Sequence, residues 1–137
     1  MITFNYETEF ELPEQETVFQ TWIEKIIVSE EKKLGELNYI FCDDNYLHQI
    51  NVQYLDHDTL TDIITFDYTE EQTISGDIFI SVERVADNAK DFDVDFQTEL
   101  LRVMAHGVLH LCGYKDKSDA ESKQMRSKEE EKMGLFP

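Results

Sequence analysis

The segment from Phe96 to Cys112 restricts the fold most. Leu101, Met104, Ala105, Val108 and Leu111 recur at helical spacing, which predicts a helix with one buried face. Asp95 in front of it can cap that helix by accepting a bond from a free backbone N–H. A helix this apolar has to lie against a sheet or other helices. Glu99, Val103, His106 and His110 form a second stripe on it. Residues four apart share a helix face, so both imidazoles can address one point. Gly113 follows, and a residue without Cβ readily takes a left-handed cap. The chain can then turn back and bring Asp116 to the histidines. Two imidazoles and a carboxylate suit zinc or a similar divalent ion, and three protein ligands leave a position for water. The plain alternative is a solvated or packed histidine pair. Cys112 lies on nearly the opposite helix face from His110 and reads as core.

The other segments supply a sheet and further helices. Ile2 to Tyr6 alternates apolar and polar, as a half-buried strand does. Glu14 to Glu31 reads as an amphipathic helix on Val18, Phe19, Trp22, Ile23, Ile26 and Ile27. Gly35 breaks the pattern, and Leu37 to Cys42 forms a second strand. Asp43 or Asp44 caps a helix to about Tyr54. Thr61 to Phe66 is a third strand, Glu70 to Ser75 a polar turn, and Gly76 to Ser81 a fourth strand. Ser81 caps a helix through about Asp91. Ser118 and Glu121 form a capping box for a last helix to about Lys132, whose charged residues read as a solvated surface. The order β-α-β-α-β-β-α-α-α predicts an α+β fold. Its small mixed sheet of about four strands packs with about five helices, and the metal cleft lies at the H-x-x-x-H helix. Residues 1–137 form one domain.

Charge narrows the function classes. The formal net charge is −18. All of it lies before Lys115, because residues 115–137 carry equal numbers of acidic and basic side chains. Such a body repels RNA at long range, so composition alone argues against a nucleic-acid partner. No apolar run could span a membrane, and Met1 to Tyr6 lacks a signal peptide's charged and apolar regions. Two cysteines, Cys42 and Cys112, make no disulfide framework, which fits a reducing cytoplasm.

The motifs point the other way. His106 to Tyr114 reads H-G-V-L-H-L-C-G-Y. It resembles the signature H-G-x-L-H-L-x-G-Y of the bacterial YbeY endoribonucleases, which act in ribosomal RNA maturation. It differs from the metalloprotease motif H-E-x-x-H, since Gly107 stands where a general-base Glu would be. The family motif continues with Asp and a third His, and Lys115 and Asp116 occupy those positions here. A second segment is similar to the family's L-N-x-x-Y-R, loop, T-D-V-L-S-F: Asn51, Tyr54, Thr61, Asp62 and Phe66 match, while Leu55 replaces the Arg. His57 is weighed as its partial substitute, against an exposed loop histidine. Gly76 to Ile80 resembles the family's G-D-I-x-I strand. The resemblance spans about Leu37 to Asp119 and implies an α+β fold.

For function, the resemblance implies a metal-dependent, single-strand-specific endoribonuclease of ribosomal RNA 3′-end maturation and ribosome quality control, working in the cytoplasm. It implies His106 and His110 as ligands and, by position, Asp116. The ion expected is Zn2+, and His106 is also the expected catalytic residue. Arg102, one turn before His106, contacts a substrate phosphate or a nearby carboxylate, or else makes an exposed salt bridge. Lys115 and Lys117 offer phosphate contacts in place of Leu55, or serve solubility in a turn. The ribosomal small subunit or an assembly protein delivers the RNA. Two other readings stay open. One is a metal-dependent hydrolase of peptides or small molecules. The other is a non-catalytic ribosome assembly factor with a structural metal.

Overall fold

A computed structural model describes residues 1–55 and 61–137 of the chain. His57 lies outside the described residues. The elements are β1 (Ile2–Tyr6), α1 (Glu16–Ser29), β2 (Lys33–Cys42), α2 (Asp44–Leu55), β3 (Ile63–Asp67), β4 (Thr73–Ser81), α3 (Val82–Asp91), α4 (Phe96–Leu111) and α5 (Asp119–Met133). This is the predicted order.

The four strands form a mixed sheet in the order β1-β2-β4-β3. β1, β2 and β4 run parallel, and β3 pairs antiparallel with β4 at the edge. Strand side chains alternate between faces, which gives the sheet two cores. Leu37, Tyr39 and Phe41 of β2 and Ile74, Ile78 and Ile80 of β4 join the main core with Phe19, Trp22, Met104 and Val108. Cys42, Ile64 and Phe79 pack with Leu47 of α2 in a smaller cluster. α4 packs against β3 and β4, and its flanks meet α3 and α5.

The predicted caps are present. Asp43 accepts from the Tyr46 N–H (2.8 Å), Ser81 from Arg84 (3.2 Å) and Asp95 from Thr98 (2.8 Å). Ser118 and Glu121 make the capping box that starts α5.

Two sequence expectations need correction. Gly35 does not precede β2 but sits inside it, and Thr73 to Ser75 belongs to β4 rather than to a turn. Lys33 pairs with Thr73 and Leu34 with Ile74 before the register shifts between Leu34 and Leu37. A Cβ at Gly35 would collide with the Ser75 hydroxyl, so glycine permits the irregularity. The second correction concerns α5: most of its charged face is exposed as expected, but Met125, Glu129 and Lys132 form a buried stripe. Trp22 donates its indole N–H to the Lys132 carbonyl (2.8 Å). The Lys132 ammonium meets Glu30 (2.7 Å) and Ser29 (2.8 Å).

Candidate metal centre

The histidines are held by a helix pressed onto the sheet. A Cβ at Gly107 would lie 3.0 Å from Ile63 Cδ1 and from Ile78 Cγ2. Glycine there lets α4 sit close to β3 and β4. The same contact shows that any larger residue at position 107 would press on Ile63 and Ile78. α4 ends with Gly113 at φ +108°, the left-handed region, and its N–H donates to the His110 carbonyl (3.0 Å). Tyr114 N–H bonds to the Leu109 carbonyl (3.1 Å). This reversal returns Asp116 to the histidine face.

Asp116 Oδ2 lies 3.2 Å from His106 Nε2 and 3.4 Å from His110 Nε2. One ligand atom from each residue falls within 4.8 Å of the others. A tetrahedral ion with ligand bonds of about 2.0–2.1 Å needs edges of about 3.4 Å. The two Asp116–histidine edges therefore fit such an ion without rearrangement. The far nitrogens are also fixed. His110 Nδ1 is 2.9 Å from the Tyr114 carbonyl, which can only accept, so Nδ1 carries the proton. His106 Nδ1 is 2.7 Å from the buried Glu129 carboxylate, with the same consequence. In each neutral ring the Nε2 lone pair is then free for a metal. Burial disfavours the His106 imidazolium, but the hydrogen bond and charge of Glu129, with Asp116 and Asp62, hold its pKa above the ordinary value. A metal ion held here would have to displace that proton, so its binding would weaken as pH falls.

Beside His106 and Asp116 opens a cleft of about 300 Å³. Residues of α3, α4 and α5 line it, together with Asp62. Burial lifts the Asp62 carboxyl, against the opposing influence of His106, and Asn88 donates to it at 3.3 Å. Glu99 is buried, and among the described residues its Oε1 has no hydrogen-bond partner; Arg102 Nε stands 3.6 Å away. Burial raises the Glu99 carboxyl as well, with Arg102 opposing.

The family model described as Endoribonuclease YbeY matches residues 2–136. The chain belongs to the YbeY family. The Endoribonuclease YbeY of Flavobacterium johnsoniae is 68% identical over 136 residues, covering 99% of this chain and 97% of that protein. That of Flavobacterium psychrophilum is 63% identical, covering 99% and 96%. The solution structure of TM1509 from Thermotoga maritima is 28% identical, with a TM-score of 0.70, covering 99% of this chain and 89% of that one.

In this YbeY chain the fold brings His106, His110 and Asp116 together. Arg102 lines the cleft, but its guanidinium is engaged: Nη1 lies 3.3 Å from Glu129 Oε1. The predicted carboxylate contact is present, and its partner is the group that holds His106. Lys115 lines a different depression, with Glu30, Lys32 and Tyr114. Lys117 is exposed, and neither lysine lines the metal cleft. Leu55, at the end of α2, is also outside the cleft lining. Cys112 is half-buried, its thiol pushed up to about 11 by burial, and it stands outside the His/His/Asp group.

Sequence reasoning missed Glu129, Arg126, Phe92 and Asn88. A signal for Glu129 existed: Met125, Glu129 and Lys132 recur at helical spacing. Charge on two of the three hid a buried stripe.

Proposed function

We propose that this chain is a metal-dependent endoribonuclease that cuts single-stranded RNA, with ribosomal RNA 3′ ends as its substrate and zinc as its ion. One observation carries the reading: the Nε2 atoms of His106 and His110 lie 3.2 and 3.4 Å from one Asp116 carboxylate oxygen, beside a cleft, in a chain that matches the YbeY model over residues 2–136. His106, His110 and Asp116 would hold the ion. When bound, it supplies Lewis acidity towards a phosphoryl oxygen and acidifies water. Glu129 and the Tyr114 carbonyl fix the two ring orientations, so the lone pairs need no reorganisation. His106 adjoins the cleft that would receive the phosphodiester, which gives it the catalytic position. Asp116 in the place of a third imidazole adds negative charge and softens the electrophilicity of the centre. An acidic body favours delivery of RNA by the small ribosomal subunit or an assembly protein in the cytoplasm. The peptidase reading loses ground because Gly107 stands where a general-base Glu would be.

The test is elemental analysis of wild type and Asp116→Ala, with RNA cleavage assayed on the same samples. About one ion per wild-type chain, lost together with cleavage in the variant, is the expected result. Metal retained in both with no cleavage in either points to a structural ion on an assembly factor and overturns the nuclease reading.

A further inference from the structure

Phe92 is a costly residue for an acidic protein to display. It is 55% exposed, stands outside both core clusters, and lines the cleft that His106 and Asp116 border. Among the described residues its ring has no aromatic neighbour. Its backbone is nevertheless tied down. Phe92 N–H donates to Asn88 (2.9 Å), Asp93 to Lys90 (3.2 Å) and Val94 to Ala89 (3.0 Å), around a left-handed Asp93 at φ +56°. The ring is therefore presented from a bonded turn at the end of α3.

α5 supplies Arg126 to the same cleft. The chain has three arginines. Arg84 is bound to Asp44 and Asp87, and Arg102 to Glu99 and Glu129. Arg126 is exposed and makes no close ion pair among the described residues, although its charge acts on the buried Glu99. In a body of net charge −18, and in a cleft also lined by Asp62, Glu99, Asp116 and Glu129, the exposed Arg126 guanidinium is a cation that an anion entering the cleft can meet. A bare aromatic ring and a free guanidinium in one cleft are the two elements that hold single-stranded nucleic acid: stacking for a base, charge for the backbone. A cleft of about 300 Å³ is at the small end for ligands and suits a splayed nucleotide, not a paired helix.

We propose that Phe92 and Arg126 form a clamp for one strand of RNA, with a base stacked on Phe92 and a phosphate of the same strand on Arg126. The clamp specifies how the nuclease described above selects unpaired RNA, and it rests on that reading. It also gives the phosphate contact to Arg126 rather than to Lys115 or Lys117.

The test uses the metal-loaded full chain and a short single-stranded RNA carrying 2-aminopurine beside a cleavable linkage. Phe92→Ala is expected to lose about tenfold in affinity and to abolish the fluorescence quench that stacking causes, while Phe92→Trp restores both. Arg126→Gln is expected to lower the slope of log affinity against log salt by about 0.7, the value for one phosphate contact on a single strand, and Arg126→Lys to keep it. A wild-type quench retained in Phe92→Ala, or an unchanged salt slope in Arg126→Gln, overturns the clamp while wild-type cleavage leaves the nuclease reading intact. If the wild type neither binds nor cuts the RNA, both ideas fail together.

Discussion

Single residues decide how the candidate metal ligands are aimed. Glu129 fixes His106 through one hydrogen bond of 2.7 Å, and Arg102 fixes Glu129 in turn. Glu129→Gln is expected to weaken metal binding about 10- to 100-fold, read by competition with a chelator, while the fold survives. An unchanged dissociation constant would show that ring orientation does not depend on the carboxylate. Glu99 makes a different prediction. Its folded pKa lies above the unfolded value, so the stability linked to its protonation is present below pH 4.5 and is lost as pH rises through the folded pKa. Glu99→Gln keeps the neutral form at every pH. The variant should match wild type near pH 4 and be the more stable protein at pH 8, by about 1 kcal/mol in urea titrations. The histidines and Asp116 were legible in the sequence because i,i+4 spacing and a helix-stopping glycine are local signals. Glu129 was not, because its role depends on contact between α4 and α5, and its charge reads as solvent exposure.

Elements set the position of the whole site. α4 reaches its place because Gly107 lets it touch Ile63 and the fully buried Ile78. Gly107→Ala would gain about 1 kcal/mol of helix propensity. It would also force a methyl against central-strand side chains, an overpacking cost of about 1–3 kcal/mol. The net expectation is a loss of about 1 kcal/mol in chemical denaturation, with metal affinity reduced as α4 lifts. A more stable variant would show that the sheet yields. At the other end, Glu30 joins α1 to α5 and to the loop after α4, bonding Lys132 (2.7 Å), Tyr114 (2.6 Å) and Lys128 (3.2 Å). Burial raises its carboxyl, but the bonds from Lys132, Tyr114 and Lys128 outweigh that and bring it from 4.5 down to about 2. The stabilisation is complete above pH 4.5 and disappears as pH falls through about 2. Glu30→Gln should cost roughly 2 kcal/mol at pH 7, with the gap to wild type closing across that acid window. Element order was readable throughout, since helical and alternating periods are local. The extra length of β2 and β4 was not, because Lys33–Thr73 and Leu34–Ile74 pair across forty residues of sequence around an irregularity at Gly35.

For the whole molecule, a net charge of −18 acts on folding and on binding in ways that salt can separate. Self-repulsion destabilises the compact state, and a Debye length of about 10 Å at 0.1 M salt falls to about 3 Å at 1 M. The melting temperature should therefore rise with salt, by about 5 °C for each ~1 kcal/mol of repulsion removed. RNA binding responds to two opposing terms. Counterion release weakens it with a slope of about −0.7 per phosphate contact on a single strand. Screening of the acidic body strengthens it, because the strand approaches against a net like charge. With Arg126 as the uncommitted cation of the cleft, the observed slope should be shallower than about −1. A slope near −3 would require several further phosphate contacts, and would locate the RNA path on cations outside the cleft, Lys115 and Lys117 among them. Titrating a labelled single strand between 50 and 500 mM salt, with a melt at each point, separates these cases. Loss of binding while the fold grows more stable comes from the interface and not from unfolding.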